Sequence, residues 1–167
     1  MQADDAGAGL GESLAMAQFT AHTTTSASPD EVLQVLTDPD AIRDWAPIPF
    51  EVDDLDGYRL EAGSLARVSG GIAGMRLGFD VEVHSADEAG LELTALGPIG
   101  IDVRYDLEAA ASGTEVSATV SVQGGGGITG RVVAKATAAL LSAGALDGAA
   151  GRIARAAETG PAYALAA

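Results

Sequence analysis

The sequence predicts an α+β domain in which an antiparallel sheet of about seven strands wraps a long C-terminal helix, with two short helices after the first strand. Three observations carry this expectation. Helix-start signals occur twice between Ser28 and Trp45, period-two alternation recurs between Phe50 and Gln123, and an Ala-rich stretch covers residues 128–158. An incompletely closed sheet gripping a helix is the arrangement this order favours.

The first strand is expected at residues 18–26, where Phe19, Ala21, Thr23 and Thr25 alternate with Thr20, His22 and Thr24. Phe19 marks the buried face, which places Thr23 and Thr25 inside and His22 outside. Ser28-Pro29-Asp30-Glu31 then reads as a capping box with proline at the first helical position. Val32, Leu33, Val35 and Leu36 give that helix an apolar face. Asp38-Pro39 opens a second helix that runs through Ile42 to Trp45, and Pro47 and Pro49 stop it.

These segments carry a resemblance. Ala27-Ser28-Pro29-Asp30-Glu31-Val32, then Leu36-Thr37-Asp38-Pro39-Asp40, then Asp44-Trp45-Ala46-Pro47 resemble the start of the helix-grip fold of the START-like superfamily. That superfamily, SRPBCC, includes polyketide cyclases, lipid carriers and the birch-pollen allergen. The resemblance covers about residues 18–158. It implies a ligand cavity between sheet and helix, and it is specific for fold rather than function.

Past the helices, Phe50–Asp54 is short and acidic and turns at Asp56-Gly57. A second strand of the meander is expected over Ser64–Ser69, with Ala66 and Val68 on one face and a turn bracketed by Gly70-Gly71 and Gly74. Met75, Leu77, Phe79, Val81 and Val83 face in, against Arg76, Asp80, Glu82 and His84. Leu91–Leu96 follows. Ile101, Val103, Tyr105 and Leu107 alternate with Asp102, Arg104, Asp106 and Glu108, and Val116, Ala118, Val120 and Val122 with Glu115, Ser117, Thr119 and Ser121. Strands with one apolar and one polar face make a sheet wet on one side, so the other side needs a cover.

The cover is the C-terminal stretch, with Val133, Leu140, Gly144, Asp147, Gly148, Gly151 and Ala154 falling on one face if the helix is continuous. Each interior glycine costs about 1 kcal/mol relative to alanine. Close packing on the sheet, room for a ligand, or a break near Gly144–Gly151 would each account for them. Residues 1–17 read as a disordered leader, residues 18–158 as one domain and residues 159–167 as a disordered tail.

Composition narrows the function. A net charge of −15 argues against nucleic acid, which needs a basic patch, and against anionic lipid. The chain has no cysteine, so it offers neither a disulfide framework nor a thiolate site. With no basic leader and no apolar run of membrane-spanning length, a cytoplasmic protein is the default and stable membrane insertion is not expected. A homo-oligomer is left open. Gly125, Gly127 and Gly130 form a G-x-G-x-x-G string, but in an antiparallel context, which makes it a turn into the helix rather than a dinucleotide site. His22 and His84 lie on outer faces of separate strands, and the acidic clusters sit in loops, so no metal and no cofactor are expected.

What remains is the inner face, apolar except for Thr23, Thr25 and the Tyr105 hydroxyl. The resemblance makes part of it a pocket, with Thr23, Thr25, Trp45, Phe79, Tyr105, Leu140 and Gly144 as ligand-binding candidates. The leading function is binding of a hydrophobic small molecule, lipid- or polyketide-like. An alternative is a polyketide aromatase/cyclase that performs aldol closure and dehydration in the same cavity, for which Tyr105 is the best inward catalytic candidate. Arg67 and Arg76 would serve only if the strand register slipped by one. A third reading is a protein-interaction or assembly module using the glycine-bearing helix face.

Overall fold

The computed structural model describes residues 16–47, 50–124 and 126–159. Seven strands form one antiparallel sheet: β1 (Met16–Thr25), β2 (Phe50–Leu55), β3 (Leu65–Ile72), β4 (Met75–Asp87), β5 (Gly90–Leu96), β6 (Gly100–Ala110) and β7 (Gly113–Gln123). Their order is β1-β7-β6-β5-β4-β3-β2. Four helices accompany them: α1 (Pro29–Thr37), α2 (Pro39–Trp45), α3 (Gly127–Ser142) and α4 (Ala145–Thr159). This is the expected helix-grip arrangement.

The alternation read from the sequence is the alternation of burial. On β4, Leu77, Phe79, Val81 and Val83 are buried, while Arg76, Asp80, Glu82 and His84 are exposed. The register therefore does not slip. Arg67 and Arg76 lie on the wet face, paired to Asp80 at 3.1 Å and Glu51 at 3.0 Å. The edge strand β2 exposes Glu51, Asp53 and Asp54, charges that discourage pairing with another chain.

The helix-start signals also hold. The backbone N–H of Glu31 donates to Ser28 Oγ at 3.2 Å and that of Ser28 donates to Glu31 Oε1 at 2.9 Å. Asp38 closes α1 and caps α2, accepting from the Asp40 N–H at 2.9 Å.

Three boundaries differ from expectation. Strand β1 begins at Met16, because Met16 and Ala17 still pair with Gln123 and Val122. The remainder of the expected leader, residues 1–15, lies outside the described residues, as do residues 160–167 of the expected tail and Gly125. Strand β3 does not stop at Gly70-Gly71 but runs on to Ile72, buried opposite Met75, and the turn is Ala73-Gly74. Both turn residues have positive φ, 55° and 76°, the two-residue hairpin geometry that matches strand twist.

The third difference matters most. The C-terminal helix is not continuous but breaks at Ala143-Gly144, and α3 and α4 meet at 59°. Gly144 has φ 101°, a conformation that side chains strongly disfavour. The break resets the helical phase, so the single face drawn from Val133 to Ala154 does not exist. Gly130, Val133, Thr137 and Leu141 are the buried positions of α3, and Leu146, Ala149, Ala150, Ile153, Ala154 and Ala157 those of α4. Helix α4 lies along β1 and packs on α1 and α2.

Gly144→Ala should lower stability by about 1–2 kcal/mol, the penalty for a side chain in left-handed backbone, with the fold kept. Urea unfolding followed by circular dichroism measures it.

Candidate functional site

Where α3 crosses the sheet, packing is incomplete. A cavity of about 130 Å³ is lined by strand residues Phe50, Val68, Val81, Leu93, Ala95, Ile101, Val103, Tyr105 and Val120. Trp45, Ala46 and Pro47 close one side of it, and Thr137 and Leu141 of α3 another. The wall is apolar except at two hydroxyls. Thr137 donates its own to the Val133 carbonyl one turn back at 2.8 Å, and the second hydroxyl is that of Tyr105, which makes no side-chain hydrogen bond to another described residue.

Trp45 reaches the cavity because α2 folds back on α1. Its indole N–H donates to the Val35 carbonyl at 2.9 Å, and its ring meets Tyr105 edge-on at 5.5 Å between centroids. Arg152 of α4 holds the end of α2, donating to the carbonyls of Trp45 at 3.2 Å and Ala46 at 3.3 Å. A cation on the last carbonyls of a helix complements its dipole. Gly148 lies one turn before Arg152, and a Cβ there would come within 3.3 Å of the guanidinium. The glycine leaves that side chain its path.

Tyr105 itself is almost wholly buried, 1% exposed. Burial pushes its phenol well above the ordinary tyrosine range, and the nearby Arg152 charge opposes that only in part. Its backbone position depends on a close approach by β5. A Cβ on Gly90 would fall 1.8 Å from the Tyr105 carbonyl oxygen, so no other residue fits without shifting the β5–β6 pair.

Of the candidates read from the sequence, Trp45 and Tyr105 come together at this cavity. The others do not. Thr25 is inside but its hydroxyl bonds the Ala154 carbonyl at 3.1 Å and Glu158 Oε2 at 3.0 Å, which ties β1 to the end of α4. Thr23 is half-buried on β1 opposite Val116 and is not part of the lining. Phe79 is buried behind it, edge-on to the lining residue Phe50 at 5.7 Å. Leu140 points away, 42% exposed, and Gly144 is the helix break. Sequence reasoning missed Leu141 because the helical phase was carried through that break. It missed Phe50, Val68 and Ala95 as site residues because nothing local separates a lining position from a filled one.

On the outer face, His22 Nδ1 lies 3.0 Å from Ser117 Oγ and His84 Nε2 lies 2.8 Å from Thr94 Oγ1, on strands the sheet order holds apart. Among the described residues no group of three His, Asp or Glu is placed to hold a metal ion.

The family described as polyketide cyclase/dehydrase and lipid transport matches residues 16–158. The chain belongs to that family. Among solved structures, the Zhui aromatase/cyclase from a Streptomyces species superposes with TM-score 0.64 at 16% identity, covering 86% of this chain and 94% of that one. Ara h 8.0201 gives TM-score 0.53 at 15% identity over 84% of this chain and 99% of its own. DynU16, a protein from the dynemicin biosynthetic locus, gives TM-score 0.52 at 25% identity over 83% of this chain, which spans 46% of DynU16. At these identities the first two likenesses concern the fold. No curated protein matches the sequence.

Tyr105 provides a pH test. Its folded pKa lies above the value of about 10 expected for an unfolded chain, so the phenol's contribution is intact below that pH. Above it, the unfolded chain releases a proton the folded one keeps, and stability falls as pH rises. Tyr105→Phe lacks this loss. Its stability relative to the parent should be constant below about pH 9 and then gain up to about 1.4 kcal/mol per pH unit above 10. Urea unfolding between pH 7 and 11, about the range that spans an ordinary tyrosine, measures the difference.

Proposed function

We propose that the protein binds a small, mainly apolar molecule carrying one hydrogen-bond acceptor, held between sheet and α3 with its polar end on Tyr105. The observation that carries this is an apolar cavity with the Tyr105 phenol in its wall, a hydroxyl that bonds no other side chain or carbonyl among the described residues. Pockets of this kind draw affinity from burial, at about 25 cal/mol per Å², and orientation from few polar groups. Membership of a family that includes lipid transport supports the reading.

The size of the cavity limits the occupant. At about 130 Å³ it compares with the engineered cavity of about 150 Å³ that admits benzene in another protein. Drug-sized ligands need about 300–1,000 Å³. One substituted ring fits as it stands, and a longer molecule requires a wall to move.

The cyclase alternative, supported by the likeness to an aromatase/cyclase, is the weaker reading for this chain. Aldol closure needs a group that accepts a proton and one that returns it. Tyr105 is the one titratable residue among the described lining, and burial holds it protonated. It can donate to a carbonyl oxygen but is a poor base at neutral pH. The assembly reading draws little support from the glycines of α4, since Gly148 and Gly151 lie beneath Arg152 and Arg155.

Acetophenone, a ring with a carbonyl acceptor, should bind more tightly than ethylbenzene by about 2- to 12-fold, the net value of one hydrogen bond. Tyr105→Phe should remove the preference and leave ethylbenzene binding unchanged, and Ala95→Phe should exclude both by filling the space. Calorimetric titration of the full chain reads all three, with Trp45, the sole tryptophan, as a fluorescent reporter. Absence of saturable binding by either compound, together with native mass spectra showing no co-purified apolar molecule, would remove the proposal.

A further inference from the structure

The acidic residues of this chain avoid one helix. The sequence carries 24 Asp and Glu residues, yet none lies between Glu115 and Asp147. All of α3 falls inside that gap and bears Arg131 and Lys135. Neither forms an ion pair among the described residues, whereas Arg67, Arg76 and Arg104 on the wet face of the sheet each do.

The same helix turns apolar side chains outward. Ile128 is 79% exposed, Val132 44% and Leu140 42%. Their spacing is a multiple of four residues along about 18 Å of helix, and Ala136, the position between Val132 and Leu140, is itself partly buried against the core. Single exposed hydrophobic residues are ordinary, but these are aligned and flanked by cations. The other side of α3, through Thr137 and Leu141, walls the cavity.

Helix α3 is held differently from α4. Helix α4 is bonded to β1 through Thr25 and to α2 through Arg152. Among the described residues no side-chain hydrogen bond or ion pair joins α3 to another element, and a positive-φ glycine stands at each end, Gly127 and Gly144.

We propose that the outer face of α3 docks reversibly on a lipid surface bearing anionic headgroups. Ile128, Val132 and Leu140 enter the boundary between headgroups and acyl chains, and Arg131 and Lys135 meet the phosphates. An apolar stripe alone would suit any apolar partner. The two cations and the missing acids select an anionic one, and they offset locally what the total of −15 opposes. Repulsion from acids elsewhere on the molecule is screened beyond about 8–10 Å at physiological salt. Lipid is favoured over an acidic protein because docking brings the cavity within one helix of a reservoir of apolar compounds. That last step rests on the binding function proposed above, whereas the stripe and the charges stand without it.

The test is co-sedimentation of the full chain with vesicles of equal parts phosphatidylcholine and phosphatidylglycerol, against vesicles of phosphatidylcholine alone, at physiological salt. The mixed vesicles should bind the protein and the neutral ones bind it several-fold less. Arg131→Gln and Lys135→Gln should each weaken binding about fivefold, the factor expected for one cation at such a surface. Ile128→Ser with Val132→Ser should abolish it, while Arg67→Gln on the far face changes nothing. These positions are exposed, and thermal melts confirm that the variants fold. The proposal falls if neither vesicle binds, if both bind equally, or if the α3 variants bind like the parent. It falls equally if sedimentation velocity shows a dimer that the same variants dissolve, since the stripe then covers a second copy. Acetophenone titration without vesicles reads the cavity separately, so either proposal can fail alone.

Discussion

A sheet with one apolar face has to be covered, and in this chain the residues available to cover it are small. Four of the six buried positions on α4 are alanine, and the buried positions of α3 include Gly130 and Thr137. Small side chains let α4 approach β1 closely, and there the packing closes. They cannot also fill the space under α3, which crosses the sheet at a 59° bend from α4. Interiors are normally packed to crystal density, so this shortfall leaves the cavity of about 130 Å³.

Large rigid rings limit the gap from the other directions. Trp45, Tyr105 and Phe50 supply area with few rotatable bonds, and the edge-on contact of Trp45 with Tyr105 fixes both. Trp45 is in turn held through its indole N–H and through the Arg152 contact to its carbonyl. The result is a rigid aromatic wall facing a helix held by apolar contact.

Much of this was legible in advance. Period-two alternation assigned the inner face of β4, β6 and β7 residue by residue, since a pleated strand sends successive side chains to opposite sides. The capping box at Ser28 and the Asp38-Pro39 start were equally plain, because the groups that satisfy a helix end lie within three residues of it. The placement of Trp45 at the end of the second helix and of Tyr105 on the inner face followed from those two readings. Thr25 was correctly placed inside, but the partners of its hydroxyl were not legible, because the carbonyl and carboxylate it bonds lie more than a hundred residues away in the chain.

The sequence by itself determined which side of each strand is apolar, where the first two helices begin, and that a small-residue segment must cover the sheet. These are local properties, set by backbone periodicity and by hydrogen bonds that close within a turn. Only the tertiary structure decided which of the three accounts of the helix glycines holds at Gly144, which phase α3 adopts, and therefore that Leu141 rather than Leu140 meets the cavity. A break of two residues is locally inexpensive and leaves little trace in periodicity, yet it changes the phase between the helices on either side of it. The cavity is of the same kind: it is the difference between the space that six strands and two helices enclose and the volume their side chains fill, a quantity no single stretch contains.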